Sequence, residues 1–378
     1  MADVMVRTAK PLESFLALMW RKFTKHRLAV LALVILAILS LLSLMAPVIE
    51  YLLGVSHTQA ILAKANKAPS WPHLLGTNEL GQDVFLRLIF GGRISLSVGF
   101  LAAMTSALIG AVVGLLSGYF GGKIDALLMR FTDAMLSVPV LPLMIVFAAL
   151  DLNQLFAGAM SLERLFIIFC AVFSIFMLFR FMADERSKRS EKNYFISLCM
   201  DAVLVSSILV GLYFLCFGMI PWQGLYEGNF ASVVKLILII VFFGWMSVAR
   251  LARASAMQLK NMEFVMAAQA LGASHLRIML SHIFPNALAP IIVAATLEVG
   301  GNILYEAALS FLGLGIQPPV SSWGNMLNNA VEYIKSAPSL AFWPGLFILI
   351  TVACFNFLGD GLRDALDPHQ VMSRVKGK

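Results

Sequence analysis

A polar stretch, MAAQALGASHLRIMLSHIFPN at residues 266–286, separates two long apolar runs and decides how this chain is organised. Its first half is rich in helix-forming residues, and Gly272 then ends the helix as a C-terminal cap glycine does. Ser274 is suited to cap a second short helix, and Pro285 restarts the chain near the first turn of a third. The stretch therefore predicts a helix, a sharp turn and a return between two segments that lie in lipid.

Outside this stretch the composition is that of a membrane protein. Of the 378 residues, 60% are hydrophobic and 13% are charged, whereas soluble domains are about 25% charged. Because about 20 residues at ~1.5 Å each cross the hydrocarbon core, a long apolar run predicts a membrane-spanning helix. Eight such runs are present, at approximately 28–48, 95–118, 134–150, 163–182, 195–220, 232–249, 287–309 and 341–359. The predicted fold class is all-α, a polytopic integral membrane protein of about eight helices.

The basic residues predict the orientation in the membrane. With the N-terminus inside and eight crossings, 21 of the 28 Lys and Arg residues fall on the inner side. This excess is typical of cytoplasmic loops, so both termini are predicted to be cytoplasmic, with residues 1–27 before the first span and residues 369–378 as a tail. The net charge of +7 is thereby explained by topology, and no nucleic-acid partner is expected.

The first span and its external segment occupy residues 28–94. A short amphipathic helix on the membrane surface is predicted from four apolar residues at helical spacing, Val84, Phe85, Leu88 and Ile89. Thr77 or Asn78 is a candidate cap for that helix.

A second external segment is predicted at residues 311–340. Gly313 and Pro318 belong to a loop punctuated by glycine and proline. Trp323 is of a type that suits the membrane interface.

The turn GYFGGKID at residues 118–125 has the glycines of a phosphate-binding loop but not its spacing. Ser117 stands five residues before Gly122 where a P-loop needs glycine, and Ile124 stands where it needs Ser or Thr. The turn is therefore interpreted as a tight cytoplasmic connection between the second and third spans, and nucleotide binding by this chain is rejected.

The cytoplasmic segment 250–286 has features that would let another protein surface approach it closely. Ala267, Ala268 and Ala270 leave one helical face nearly bare, and neighbouring Met side chains suit insertion into a groove. The alternative is an ordinary loop helix that rests on the membrane. From the residues alone, docking is favoured only slightly.

These residues resemble a known family. The stretch is similar to the "EAA" loop of ABC-importer permeases, whose spacing Ala267, Ala268, Gly272 and Pro285 keep. Further segments resemble the second permease of dipeptide and oligopeptide importers: LGTNELGQD at 75–83, GYFGGKID at 118–125, MRFTD at 129–133, EAALSFLGLGIQPP at 306–319, SWGNML at 322–327 and NFLGDGLRDALDP at 356–368. The resemblance covers roughly residues 28–150 and 232–368.

The resemblance implies a transmembrane permease domain over residues 95–368, in the bacterial cytoplasmic (inner) membrane. It implies three kinds of partner: a second homologous permease, two cytoplasmic ATPase subunits docked on the 262–285 loop, and an external substrate-binding protein. ATP and Mg²⁺ would then be held by the ATPases, with no cofactor on this chain, and closure of the ATPases would drive alternating access. The candidate docking residues on this loop are Met266, Ala267, Ala268, Gly272, Ala273 and Pro285, to which we add Glu263 as a hypothesis.

The sequence departs from the family pattern in two places. Met266 stands where the family has Glu, and Glu263, one turn earlier on the same face, is our candidate to supply the missing charge. Residues 151–231 are interpreted as an inserted helical hairpin that holds the fourth and fifth spans. Because two spans are added, the sidedness of everything after them is preserved.

The seventh span carries a polar stripe. Glu298, Asn302 and Glu306 are four residues apart and therefore share a face. Glu298 is expected ~15 Å into the membrane, where a carboxylate must face protein or water. A helix-packing hydrogen bond and a role in the translocation pathway are equally favoured for it. Glu306, near the outer end, is a candidate for gating or for contact with the binding protein.

Two other classes of membrane protein fit less well. An integral membrane enzyme needs convergent catalytic groups, and the six histidines are scattered. A channel would leave the docking loop unexplained, and no filter-like repeat is present. Within the transporter interpretation, dipeptides, oligopeptides, antimicrobial peptides and nickel complexes all remain open as substrates.

Overall fold

The computed structural model describes residues 15–150 and 229–366, with side chains from residues 19 and 232 onwards. Within these ranges the chain is helical and no strand is formed beyond a single bridge between Thr77 and Asp83. A short 3₁₀ turn covers Leu62–Lys64. The helices are α1 Phe15–Phe23, α2 Arg27–Leu44, α3 Ala46–Leu53, α4 Val84–Phe120, α5 Gly122–Ser137, α6 Val140–Ala149, α7 Asn229–Leu259, α8 Glu263–Ala270, α9 His275–Ile278, α10 Phe284–Phe311, α11 Trp323–Ala330 and α12 Ser339–Leu366.

The predicted all-α, membrane-spanning class is confirmed. In the described part of the chain, five helical segments are long and apolar enough to cross a membrane: Arg27–Leu44, Val84–Phe120, Ser232–Leu259, His275–Phe311 and Ser339–Leu366. The pair α5 and α6 counts as a sixth if it is one bent span. These six match the first, second, third, sixth, seventh and eighth predicted spans. The fourth and fifth, in the proposed hairpin 151–231, lie outside the described residues.

The two ends of the described chain lie on one side of the bundle. His26, before α2, has its Nε2 3.9 Å from a carboxylate oxygen of Asp364, near the end of α12. The residues on either side of the undescribed segment 151–228 also lie close together. Lys235 Nζ donates to the carbonyls of Ala148 and Leu150 at 2.6 and 2.8 Å. Both observations agree with an even number of crossings.

The predicted surface helix at residues 84–89 is wrong, because α4 is one continuous helix from Val84. Asp83 caps it, accepting a hydrogen bond from the Leu86 N–H at 2.7 Å. Leu88 and Ile89 are buried against other parts of the chain rather than spread on lipid. Their helical spacing therefore marks the start of the membrane-spanning helix α4.

The predicted caps Thr77 and Asn78 are also wrong. Thr77 Oγ1 accepts a hydrogen bond from the Lys67 N–H at 2.9 Å, and Asn78 Oδ1 accepts one from the Gln82 N–H at 2.8 Å. Both side chains hold the external loop instead of the helix that follows it.

The third span is bent. A single run was predicted over 134–150, but α5 and α6 meet at 83°. Val138, in extended conformation, and Pro139 form the break. Proline lacks the N–H that a continuous helix needs, and it disfavours helical geometry in the residue before it.

Helices α4 and α7 pack with their backbones in close contact. Gly110, Gly114 and Gly118 lie one turn apart on α4, and a methyl group at Gly114 would fall 2.3 Å from the Ala249 carbonyl oxygen. Only glycine lets the two backbones approach so closely. The inner end of α7 then leads directly into the polar stretch.

The sixth span was predicted over about 232–249, but α7 continues past Arg250 and Arg253 to Leu259. Both guanidinium groups form ion pairs with carboxylates on α5. Arg253 donates to Asp125 at 2.5 and 2.7 Å, and Arg250 donates to Asp133 at 2.5 Å. These ion pairs let the helix run past its charged residues.

Candidate functional site

The polar stretch folds into two short helices joined by a glycine turn, as predicted. Gly272 has a φ of +76°, a conformation that glycine adopts most easily. The N–H of Gly272 donates to Gln269 at 2.9 Å, and that of Ala273 donates to Ala268 at 3.0 Å. This pair of bonds is a Schellman motif, which satisfies the last carbonyls of α8.

The return to the membrane also follows the prediction. Ser274 caps α9 through the N–H of Arg277 at 3.4 Å. One π-helical turn, Met279–Ile283, joins α9 to α10, and Pro285 lies in the first turn of α10. The helix before the glycine begins at Glu263, three residues ahead of the quoted stretch, after a turn at residues 260–262.

One side of α8 is held by the chain and the other is exposed. Val265 and Ala268 are buried in a cluster with Tyr119, Ile278 and Ile283. The exposed residues of this region are the candidate docking surface: Met262, Glu263, Phe264, Met266, Ala267, Gln269, Ala270, Leu271 and Leu276. Leu271 alone is 88% exposed. An apolar patch of this kind marks a site of interaction.

Of the predicted docking residues, the structure brings most to one surface. Glu263, Met266 and Ala267 are all exposed. This exposure is what the hypothesis requires, in which Glu263 supplies the charge that is missing at Met266. Ala268 belongs to the buried side, so the bare face is narrower than three alanines suggested.

The polar stripe of the seventh span lies on α10. Asn302 is buried, and Glu298 is half-buried. Among the described residues, the buried atoms Glu298 Oε2 and Asn302 Nδ2 have no hydrogen-bond partner. Because buried polar groups in membrane helices are usually hydrogen-bonded, these two atoms are candidates for contact with a group from outside this chain.

Glu306 differs from its neighbours because its carboxylate is fully paired. It is 0% exposed and accepts hydrogen bonds from the Ser95 hydroxyl at 2.7 Å and the Ser310 hydroxyl at 2.8 Å. The Ser310 oxygen in turn accepts the Ile316 N–H at 3.1 Å. A direct contact of Glu306 with a binding protein is therefore excluded in this conformation. Its carboxylate joins α4, α10 and the external loop.

Trp323, predicted to suit the membrane interface, is likewise buried within the chain, at 1% exposed. Its indole N–H donates to the Leu88 carbonyl at 2.9 Å, and its backbone N–H donates to Ser95 at 3.3 Å. Gly313 and Pro318 are exposed on the loop, with Gly313 at a φ of +75°. We call the assembly of Glu306, Ser310, the loop 311–322 and α11 the outer cap.

Ser95 was not singled out from the sequence, although it joins Glu306 to Trp323. Serine in a membrane helix is common, and nothing local distinguishes it. The Gly110–Gly114–Gly118 spacing was available as a signal, since small residues four apart mark close helix contacts. Within residues 15–150 and 229–366, no group of three or more His, Cys, Asp or Glu residues is placed to hold a metal ion.

Two family models match the chain. The binding-protein-dependent transport system inner membrane component matches residues 180–371, and the N-terminal TM domain of oligopeptide transport permease C matches residues 14–69. The chain is 32% identical to the dipeptide transport system permease protein DppC of Alkalihalophilus pseudofirmus, over 92% of this chain and 88% of that protein.

Two further relatives are named for other substrates. The oligopeptide transport system permease protein OppC of Haemophilus influenzae is 36% identical over 78% of this chain and 70% of its own length. The glutathione transport system permease protein GsiD of Escherichia coli is 31% identical over 82% and 76%.

Proposed function

The chain belongs to the family of binding-protein-dependent transport system inner membrane components, and on that premise we propose that it is one permease subunit of an ATP-driven peptide importer. It is a multi-pass protein of the inner membrane. With a second, homologous permease it forms the pathway for di- or oligopeptides. The hydrolysis of ATP is assigned to two separate cytoplasmic subunits, and the delivery of peptide to an external binding protein.

The exposed face of α8 carries this proposal. It is an apolar surface on the side that the charge bias assigns to the cytoplasm, with Ala267 bare enough for close approach. A groove on an ATPase subunit that receives such a helix would cover Met262 and Met266 and remove them from water.

The connections of α8 support a mechanical role for it. Its buried side packs against the π turn at Met279–Ile283, and α10 starts at the next residue. A displacement of α8 by a docked ATPase therefore reaches the helix that carries Glu298 and Asn302. Packed helices move as units between discrete arrangements, which suits a switch between inward- and outward-facing states.

The substrate is proposed on the relatives and on the polar stripe. The relatives are named for dipeptides, oligopeptides and glutathione, all of which carry an ammonium group and a carboxylate. The unpaired Glu298 oxygen is suited to accept hydrogen bonds from the ammonium end of such a cargo.

The test is reconstitution of this chain with a homologous permease, the two ATPase subunits and the binding protein in vesicles. ATP-dependent uptake of labelled di- and tripeptides is expected. Ala267→Trp, which fills the docking face, is expected to lower uptake by about tenfold or more and to release the ATPase during purification. That is the effect of losing about 1.4 kcal/mol or more of docking energy.

The matched control is Ala126→Trp, an exposed alanine on α5 at the same side of the membrane. It should leave uptake and co-purification unchanged. Uptake without ATP, or an ATPase that stays bound and coupled to Ala267→Trp, would contradict the proposal.

A further inference from the structure

The turn at residues 118–125 has no part in the mechanism above, yet it contacts the chain on both sides of α8. We call residues 260–275, which contain α8, the docking segment. Tyr119, in the last turn of α4, is buried, and its hydroxyl lies 2.8 Å from Nδ1 of His275. The two rings meet edge to face with their centroids 5.7 Å apart. Phe120 adds a second ring contact to His275 at 6.0 Å.

The neighbouring residue makes the other contact. Lys260 Nζ donates to the Gly118 carbonyl at 3.0 Å. Lys260 precedes α8 and His275 follows it, so both ends of the docking segment are fastened to two adjacent residues of α4. The ion pair of Arg253 with Asp125 holds the same turn against α7.

We propose that Tyr119 and His275 are positioning residues that clasp the docking segment to α4, so that a push on α8 moves the α4–α7 pair. The proposal rests on the proposed function. Without the contact of His275, Lys260 alone would fasten this part of the chain to the inner end of α4 through a side-chain hydrogen bond. The second fastening, through His275, turns a local displacement into movement of two long helices.

Helix α4 connects the clasp to the outer side of the molecule. Helix α4 is continuous to its outer end, where Ser95 bonds Glu306 and Leu88 bonds Trp323. The close glycine contacts of α4 with α7 keep the pair rigid between these points. The inner clasp and the outer cap are thus joined by one continuous helix.

The first experiment uses the reconstituted complex and measures peptide imported per ATP hydrolysed. Tyr119→Phe keeps the ring and removes the hydroxyl, and His275→Leu removes the imidazole. Each is expected to leave assembly and ATP hydrolysis intact and to lower the import ratio about two- to tenfold, the range that one hydrogen bond supplies.

The double variant decides whether the two residues act through each other. The double variant Tyr119→Phe, His275→Leu is expected to lower the import ratio no further than the more damaging of the two single variants does. Effects that multiply would show independent roles and overturn the clasp, as would an unchanged ratio in the single variants. Tyr51→Phe, at a tyrosine that is 86% exposed on the outer side, is the matched control.

A second measurement does not depend on transport. In the full chain in nanodiscs, amide hydrogen exchange over residues 263–278 is expected to be faster in Tyr119→Phe than in the wild type and in Tyr51→Phe. Equal exchange would overturn the clasp. If the wild-type complex imports no peptide, the proposed function fails, and the exchange experiment still reports on the clasp by itself.

Discussion

The docking segment at the inner side and the outer cap are built in opposite ways. Around α8 the chain leaves Met266 and Leu271 in the open, with only Val265 and Ala268 packed inward. In the outer cap the carboxylate of Glu306 and the indole of Trp323 are enclosed and fully hydrogen-bonded. Exposed apolar surface requires a partner, whereas a satisfied buried network maintains the shape of its own chain.

The largest effect is expected from Glu306→Leu in the outer cap. The Ser95 and Ser310 hydroxyls would lose their acceptor, and each buried group left unpaired costs about 1–3 kcal/mol. The variant should therefore unfold several degrees below the wild type when its tryptophan fluorescence is followed during heating in detergent.

Glu332→Leu is the control for that change, because Glu332 is exposed in the same external segment. It should melt with the wild type. If Glu306→Leu melts at the wild-type temperature and only transport is lost, the cap is a functional contact and the contrast between the two regions fails.

An intermediate effect is expected from Glu298→Gln, between the two regions. The substitution keeps the size of the side chain and one oxygen but replaces the carboxyl group with an amide. Because Glu298 Oε2 has no partner among the described residues, stability should be unchanged. Peptide uptake should fall about two- to tenfold through loss of a charge-assisted hydrogen bond.

Thr296→Val on the same helix is the control, since the Thr296 hydroxyl only bonds the Ile292 carbonyl one turn away at 2.8 Å. Its uptake should match the wild type. Normal uptake by Glu298→Gln would leave Glu298 with a packing role alone.

The smallest effect is expected from Glu263→Ala at the docking surface. An exposed ion pair is worth about 0.2–1 kcal/mol, so ATP-coupled uptake should fall about two- to fivefold without loss of stability. Adding Met266→Glu in the same chain should restore uptake, because the new carboxylate lies one turn away on the same side.

Asp360→Ala, at another exposed acid near the inner end of α12, should have no effect. Coupled uptake that is normal in Glu263→Ala would show that this carboxylate does not replace the family's glutamate. Failure of Met266→Glu to rescue would place the missing contact elsewhere in the segment.

Local backbone chemistry explains what was predicted well. The turn at Gly272, the cap at Ser274 and the restart at Pro285 follow from the conformational preferences of single residues. Six of the eight predicted spans match described helices, because hydropathy over about 20 residues is a strong signal.

Contacts between distant residues explain what was missed. The apolar residues at 84–89 have the same spacing on a surface helix as at the start of a buried one, and only the neighbouring helices distinguish the two. Trp323 was predicted to suit the membrane interface and Glu306 to serve in gating or binding-protein contact, yet their partners Leu88 and Ser95 are more than 200 residues away in the chain.

The sequence by itself determined the membrane-spanning class, the family and the form of the docking segment, because each depends on composition or on short-range spacing. The tertiary structure alone decided which polar groups are satisfied and which are left open. It closed the outer cap around Glu306, left Glu298 without a partner among the described residues, and brought Tyr119 to His275. Those outcomes depend on helix packing, which sets the distance between side chains far apart in the chain.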